Sequence, residues 1–238
     1  MDKVLLLTRR EISAFFVSPI AYVAIALFLL ASGVFFVWMD FHQGQPAALR
    51  ASFNVMMIVL VFFLPLLTMR ALAEEQKTGT IETLLTAPVT DVQVVVAKFL
   101  GSWFLFLVML APTLLYVVML EAFANPDLGP IASGYLGLAL LGAAYVAIGL
   151  FASSLTRNQI IAAVITYIVL LMLAWPIPYV AQIVPPPWRD IIQNATMLKH
   201  YVDFSQGVVD VVHVIYFAAV TVYALFLTVK VLESRRWR

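Results

Sequence analysis

Few residues of this 238-residue chain are of a type that makes or breaks bonds, and their spacing limits the chemistry open to them. The three histidines, His42, His200 and His213, lie apart in sequence and form no His-Glu-x-x-His pair. A zinc hydrolase needs its ligands fixed on nearby turns, so that reading is disfavoured. Ser133 with a histidine could suggest an intramembrane serine protease, yet no Gly-x-Ser motif surrounds it. Cysteine is absent, which excludes disulfides, thiolate metal sites and thiol nucleophiles. No Gly-x-x-x-x-Gly-Lys-Ser/Thr phosphate loop occurs either, and Gly79-Thr80 leads into Ile81-Glu82 without the required lysine. The expectation is therefore no catalytic, cofactor-binding or metal-binding residue.

What stands out instead is a polar island, EEQKTGTIETLLTAPVT, at residues 74–90. Thr78 or Gly79 can cap a helix start. With Gly79 as the cap, Glu82 is the third helical residue, where its carboxylate bonds back to the cap amide and suits the positive helix end. Ala87 precedes Pro88 and is biased away from helix, so the element stops after two turns. Ile81, Leu84 and Leu85 share one face. Thr90 and Gln93 have capping-box spacing and start a new helix through Lys98. Arg70 precedes the paired acids Glu74 and Glu75 by four and five residues, a spacing for a solvated or ion-paired face that sets loop geometry. So short a helix is unstable alone in water. It must rest on the membrane surface, on neighbouring helix ends, or in a groove on a partner.

The elements around the island are apolar. Hydrophobic residues make up 63% of the chain and charged ones 11%, against roughly 45–50% and about 25% in soluble domains. Lipid must be the solvent, and no basic stripe suggests nucleic acid. Uncharged runs long enough to cross a bilayer occur at 19–39, 51–69, 99–120, 129–156, 158–188 and 211–229. Arg157 splits the fourth from the fifth. The fold expected is all-α with six transmembrane helices in one domain, residues 1–238.

With both termini on one side, that side holds Lys3, Arg9, Arg10, Arg70, Lys77, Lys98, Arg157, Lys230, Arg235, Arg236 and Arg238, and the other only Arg50, Arg189 and Lys199. The positive-inside rule assigns the first side to the cytoplasm. Residues 3–18 read as an interfacial helix, 70–95 as a cytoplasmic loop, and 184–210 as short outer-side helices. No crossing has an acid, lysine or arginine at its middle, which argues against a proton-driven carrier. Small residues such as Gly142 and Gly149 let the fourth crossing pack closely on a neighbour. Pro65 and Pro112 lie where they would kink their helices.

MRALAEEQKTGTIETLLTAPVTDVQVVVAKFLGSW resembles the signature of membrane subunits of ABC-2 type transporters, particularly the branch similar to gliding-motility and copper-enzyme-maturation permeases. Arg70, Glu74, Glu75, Gly79, Thr80, Glu82, Leu84, Leu85, Pro88, Thr90 and Lys98 carry the match. PDLGPIASGYLGL, GLFASSLTRNQ and HYVDFSQGVVD are similar to later family blocks. The resemblance implies a half-transporter of the type V exporter kind in a bacterial inner membrane. Its first cytoplasmic loop would be a coupling helix, with Gly79, Thr80, Ile81, Glu82, Leu84, Leu85 and Pro88 contacting a separate ATPase. It implies two ATPase subunits, which hold ATP and Mg²⁺, and a second permease half, either an identical copy or an auxiliary membrane protein. The alternatives are a non-transporting membrane component of a motility or envelope assembly, and a secondary carrier.

Overall fold

The computed structural model describes residues 2–41, 48–80 and 89–236, with the side chains of Asp2, Arg235 and Arg236 left aside. The described residues are helical throughout their regular structure. Helix α1 (Asp2–Val17) is followed at once by α2 (Pro19–Met39), because Ser18 takes an extended backbone and Pro19 fits the first helical position. Then come α3 (Arg50–Thr68) and the short α4 (Ala73–Thr78). Next, α5 (Asp91–Leu110) passes through a 3₁₀ turn at Ala111–Thr113 into α6 (Leu114–Phe123). Helix α7 (Leu128–Leu155) is followed by α8 (Gln159–Ala174) and α9 (Pro176–Ile183). The chain ends with α10 (Trp188–Ala195), α11 (Met197–Ser205) and α12 (Val211–Arg236).

Six of these stretches are long and apolar enough to cross a membrane: Pro19–Met39, Arg50–Thr78, Asp91–Phe123, Leu128–Leu155, Gln159–Ile183 and Val211–Ser234. The six expected crossings are therefore present. The third begins at Asp91, as the capping-box spacing predicts: the Thr90 hydroxyl accepts from Gln93 N while the Gln93 side chain accepts from Thr90 N. The fifth is broken at Trp175, where Pro176 starts a new helical piece. The last continues to Arg236, past Val229.

Helix α7 is the most buried crossing and forms the axis of the bundle, packed against α3, α8, α11 and α12. Small residues make this possible. A Cβ at Gly142 would overlap the Phe106 ring of α5, and one at Gly149 would overlap the Thr68 hydroxyl of α3. Helix backbones approach closely where such residues meet, as membrane bundles require. The main core joins Phe28, Phe53, Phe106, Leu138, Tyr145, Phe204 and Phe217. A smaller cluster of Ala71, Leu72, Val95, Leu150, Val229 and Leu232 closes the end nearest the polar island. Outward faces of α2, α8 and α12 carry exposed Leu27, Leu30, Ile160, Ile168, Val222 and Phe226, apolar surface suited to lipid or to another membrane helix.

Candidate functional site

The island's entry is fixed by α7. Ser153 Oγ accepts from the amides of Leu72 (3.1 Å) and Ala73 (2.9 Å) and donates to the Met69 carbonyl at 3.1 Å. These are backbone groups that the break between α3 and α4 would otherwise leave unsatisfied in a buried place. Gln76 Nε2 adds a bond to the Ser154 carbonyl at 3.0 Å. One hydroxyl and one amide thus pin α4 to the end of α7.

Pinned in this way, α4 directs Glu75 at Lys98 of α5. Lys98 Nζ, with only 3% of its side chain exposed, donates to Glu75 Oε1 at 2.7 Å and to Glu11 Oε1 of α1 at 3.2 Å. Arg10 Nη2 lies 3.2 Å from Glu11 Oε1 and 3.7 Å from Glu75 Oε1. Two cations and two carboxylates therefore meet where α1, α4 and α5 converge. A buried ammonium is tolerable only when paired and hydrogen-bonded, and both carboxylates meet that need. Burial protects the Lys98 bonds from salt, whereas Arg10 is half-exposed and screened. The arrangement is a joint of paired charges and, among the described residues, brings no nucleophile and base together.

Beside the joint lies a cavity of about 800 Å³ whose walls include Arg10, Glu11, Phe15, Arg70, Glu75 and Thr80. Gly79 ends α4 in the left-handed region, φ +74°, with open space where a Cβ would stand. Its glycine is needed for that backbone conformation alone. Gly79 thus also ends a helix, a role beyond the helix start expected of it, and Thr80 directly after it is helical again. Thr78 Oγ1 donates to the Glu74 carbonyl at 2.9 Å and lies 2.9 Å from Thr80 Oγ1, which tightens the same turn. Ile81, Glu82, Leu84, Leu85 and Pro88 lie outside the described residues.

Sequence spacing put Arg70, Glu74 and Glu75 on one solvated or ion-paired face, and the structure gives each of them a different environment. Among the described residues no ion pair reaches Arg70, whose buried Nε has no hydrogen-bond partner. Glu74 is exposed, and Glu75 turns to Lys98 and Arg10. Helix α3 ends at Thr68 and the chain turns before α4, so Arg70 and Glu74 do not share one continuous helix face. Neither Glu11 nor Gln76 was expected at this site. Glu11 did offer a signal, being an acid within the apolar pattern of α1, but its partner is 87 residues away.

Residues 38–232 match the family model described as ABC-2 family transporter protein. A search of curated proteins returned no match. The family match spans well over half of the chain, covering four complete crossings, most of the last one, and the island. On that ground, this chain belongs to the ABC-2 transporter family, as a membrane permease component.

Proposed function

We propose that the chain is the permease subunit of an ATP-driven complex in a bacterial inner membrane, with residues 79–90 gripped by a cytoplasmic ATPase. The observation that carries this reading is the joint at Lys98. It ties the interfacial helix, the segment entering the island and the helix leaving it into one body. A displacement applied to the island then moves α1 and α5 together and, through Ser153, the axis helix α7. The excess of lysine and arginine at this end favours the cytoplasm for it and for both termini.

In this mechanism two ATPase subunits bind ATP and Mg²⁺ and close. Ile81, Leu84 and Leu85 seat in a groove on the ATPase, and two permease halves rock against each other. The second half is an identical copy or an auxiliary membrane protein. The output is export or a mechanical movement, as the resemblance to the gliding-motility branch suggests. Nucleotide binding can shift the conformations only by its difference in affinity between them, so a rigid grip on the island is required.

The test is the Leu84→Asp/Leu85→Asp double variant, purified with its ATPase. We expect the ATPase to dissociate, or its ATP use to lose its dependence on the permease. Normal association and coupling in a folded variant would remove the proposal.

A further inference from the structure

At the end of the bundle opposite Lys98, two histidines distant in sequence are in contact. His200 Nδ1 lies 2.7 Å from His213 Nδ1, and His200 Nε2 lies 2.8 Å from the Asn194 carbonyl. His213 Nε2 lies 2.8 Å from Asp203 Oδ2. His200 stacks on Tyr216, ring centroids 3.9 Å apart, and the Tyr216 hydroxyl donates to the Ala195 carbonyl at 2.6 Å. Both histidines are buried, at 5% and 9% exposure, while the Asp203 side chain is 39% exposed and gives solvent a way in.

The partners determine where the protons sit. The Asn194 carbonyl only accepts, so His200 Nε2 carries a hydrogen. A neutral His200 then offers Nδ1 as a lone pair, and His213 Nδ1–H donates to it. His213 Nε2 and the Asp203 carboxylate would both be acceptors, yet they stand at hydrogen-bond distance. One further proton must lie between them. The trio is complete, and electrically neutral, only with that proton bound.

We propose that His200, His213 and Asp203 form a proton-binding site that latches α11 onto α12, closed near neutral pH and opened by acid. A second proton, placed on His200 Nδ1, sets two N–H groups against each other at 2.7 Å and breaks the His–His bond. Helix α11 packs across α3, α7, α8 and α12, with the Ser133 hydroxyl donating to its Phe204 carbonyl at 2.8 Å. Opening the latch therefore loosens the lid over four crossings.

The surrounding charges agree with this direction. Burial lowers the affinity of His200 for a proton, the Asn194 bond opposes that, the charges of His213 and Lys199 lower it further, and Asp203 raises it. Helix α7 brings only the phenols Tyr135 and Tyr145, α8 brings Tyr167, and α11 adds Tyr201, whose burial holds its phenol well above the ordinary value. Among the described residues, no ion pair joins Arg50 of α3, Arg189 and Asp190 of α10, or Asp210 before α12 to the trio. Because the folded-state value of His200 is depressed, its contribution is complete above the ordinary histidine value of 6.5. It is lost progressively as pH falls below 6.5 towards the depressed value.

The experiment uses the full chain in lipid nanodiscs, open to solvent on both sides. Its result is therefore independent of the orientation and ATPase coupling proposed above. With three histidines in the sequence, ¹⁵N-histidine labelling and a His42→Gln variant isolate the two rings. We expect His200 to be neutral with its proton on Nε2 at pH 7. Hydrogen exchange across residues 196–216, corrected for its intrinsic pH dependence, should rise by up to about tenfold per pH unit below about 6.5. His200→Gln keeps one donor and one acceptor without titrating, and should flatten that rise. An imidazolium at His200 at pH 7, flat exchange in the wild type from pH 7.5 to 5, or an equal slope in His200→Gln would each overturn the proposal.

Discussion

Replacing Lys98 with methionine leaves the carboxylates of Glu11 and Glu75 facing each other without the buried ammonium between them. Both Oε1 atoms lie within 3.2 Å of Nζ, so they are at most about 6 Å apart. At an effective dielectric constant of about 20, two unit charges at that distance repel by about 3 kcal/mol. Arg10 stays within reach of both but is half-exposed, so it offsets only part of this. A net loss of about 2–3 kcal/mol remains, at the lower edge of the roughly 3–5 kcal/mol typical when one partner of a buried pair is removed. That loss falls on the docking of α1 and raises its detached fraction roughly 30- to 150-fold. Hydrogen exchange of residues 2–17 in lipid nanodiscs reads the change directly. The triple variant Lys98→Met/Glu11→Gln/Glu75→Gln has no facing charges and should recover most of the protection. Exchange in Lys98→Met within threefold of wild type, or a triple variant as open as the single one, would refute the electrostatic account of the joint.

Three further outcomes follow from particular contacts. Ser153→Ala leaves the amides of Leu72 and Ala73 buried without an acceptor, and should cost about 2–3 kcal/mol, while Ser153→Thr keeps the hydroxyl and loses less; thermal unfolding in nanodiscs compares them. Gly142→Ala drives a methyl into the Phe106 ring and should cost about 1–3 kcal/mol, partly recovered by a companion Phe106→Leu, again by thermal midpoint. Asp40 accepts from Ser52 N at 2.8 Å, and burial pushes its carboxyl upward against the opposing bonds from Ser52 and Ala51. With the folded-state value raised, its contribution is present below the ordinary carboxylate range and lost as pH rises through the raised value. Asp40→Asn should therefore gain on wild type between pH 4 and pH 8, and parallel unfolding curves across that range would contradict this.

Much of the fold can be read directly from the residues, because a bilayer requires every backbone group to be satisfied within its own helix. Run length alone then counts the crossings. The Thr90–Gln93 spacing gives the start of α5, since a capping box needs only residues three apart. The break at Trp175 is also local, set by Pro176. The face expected for Arg70, Glu74 and Glu75 shows the limit of such reasoning. Spacing assumes a continuous helix, and Ser153, 81 residues beyond Leu72, stabilises the discontinuity that removes it.

By itself, then, the sequence determined the solvent, the number of crossings, the absence of a phosphate-loop motif and the family resemblance of the island. Those follow from composition, run length and short-range spacing, which act within a few turns of chain. Only the tertiary structure decided that Lys98 is held by Glu11 as well as Glu75, and that His200 and His213 share a hydrogen bond across 13 residues. The reason is that burial changes what a charge or an imidazole requires. In water each of these groups would be solvated separately, whereas inside the bundle each must find a partner, and packing about α7 determines which partners are in reach.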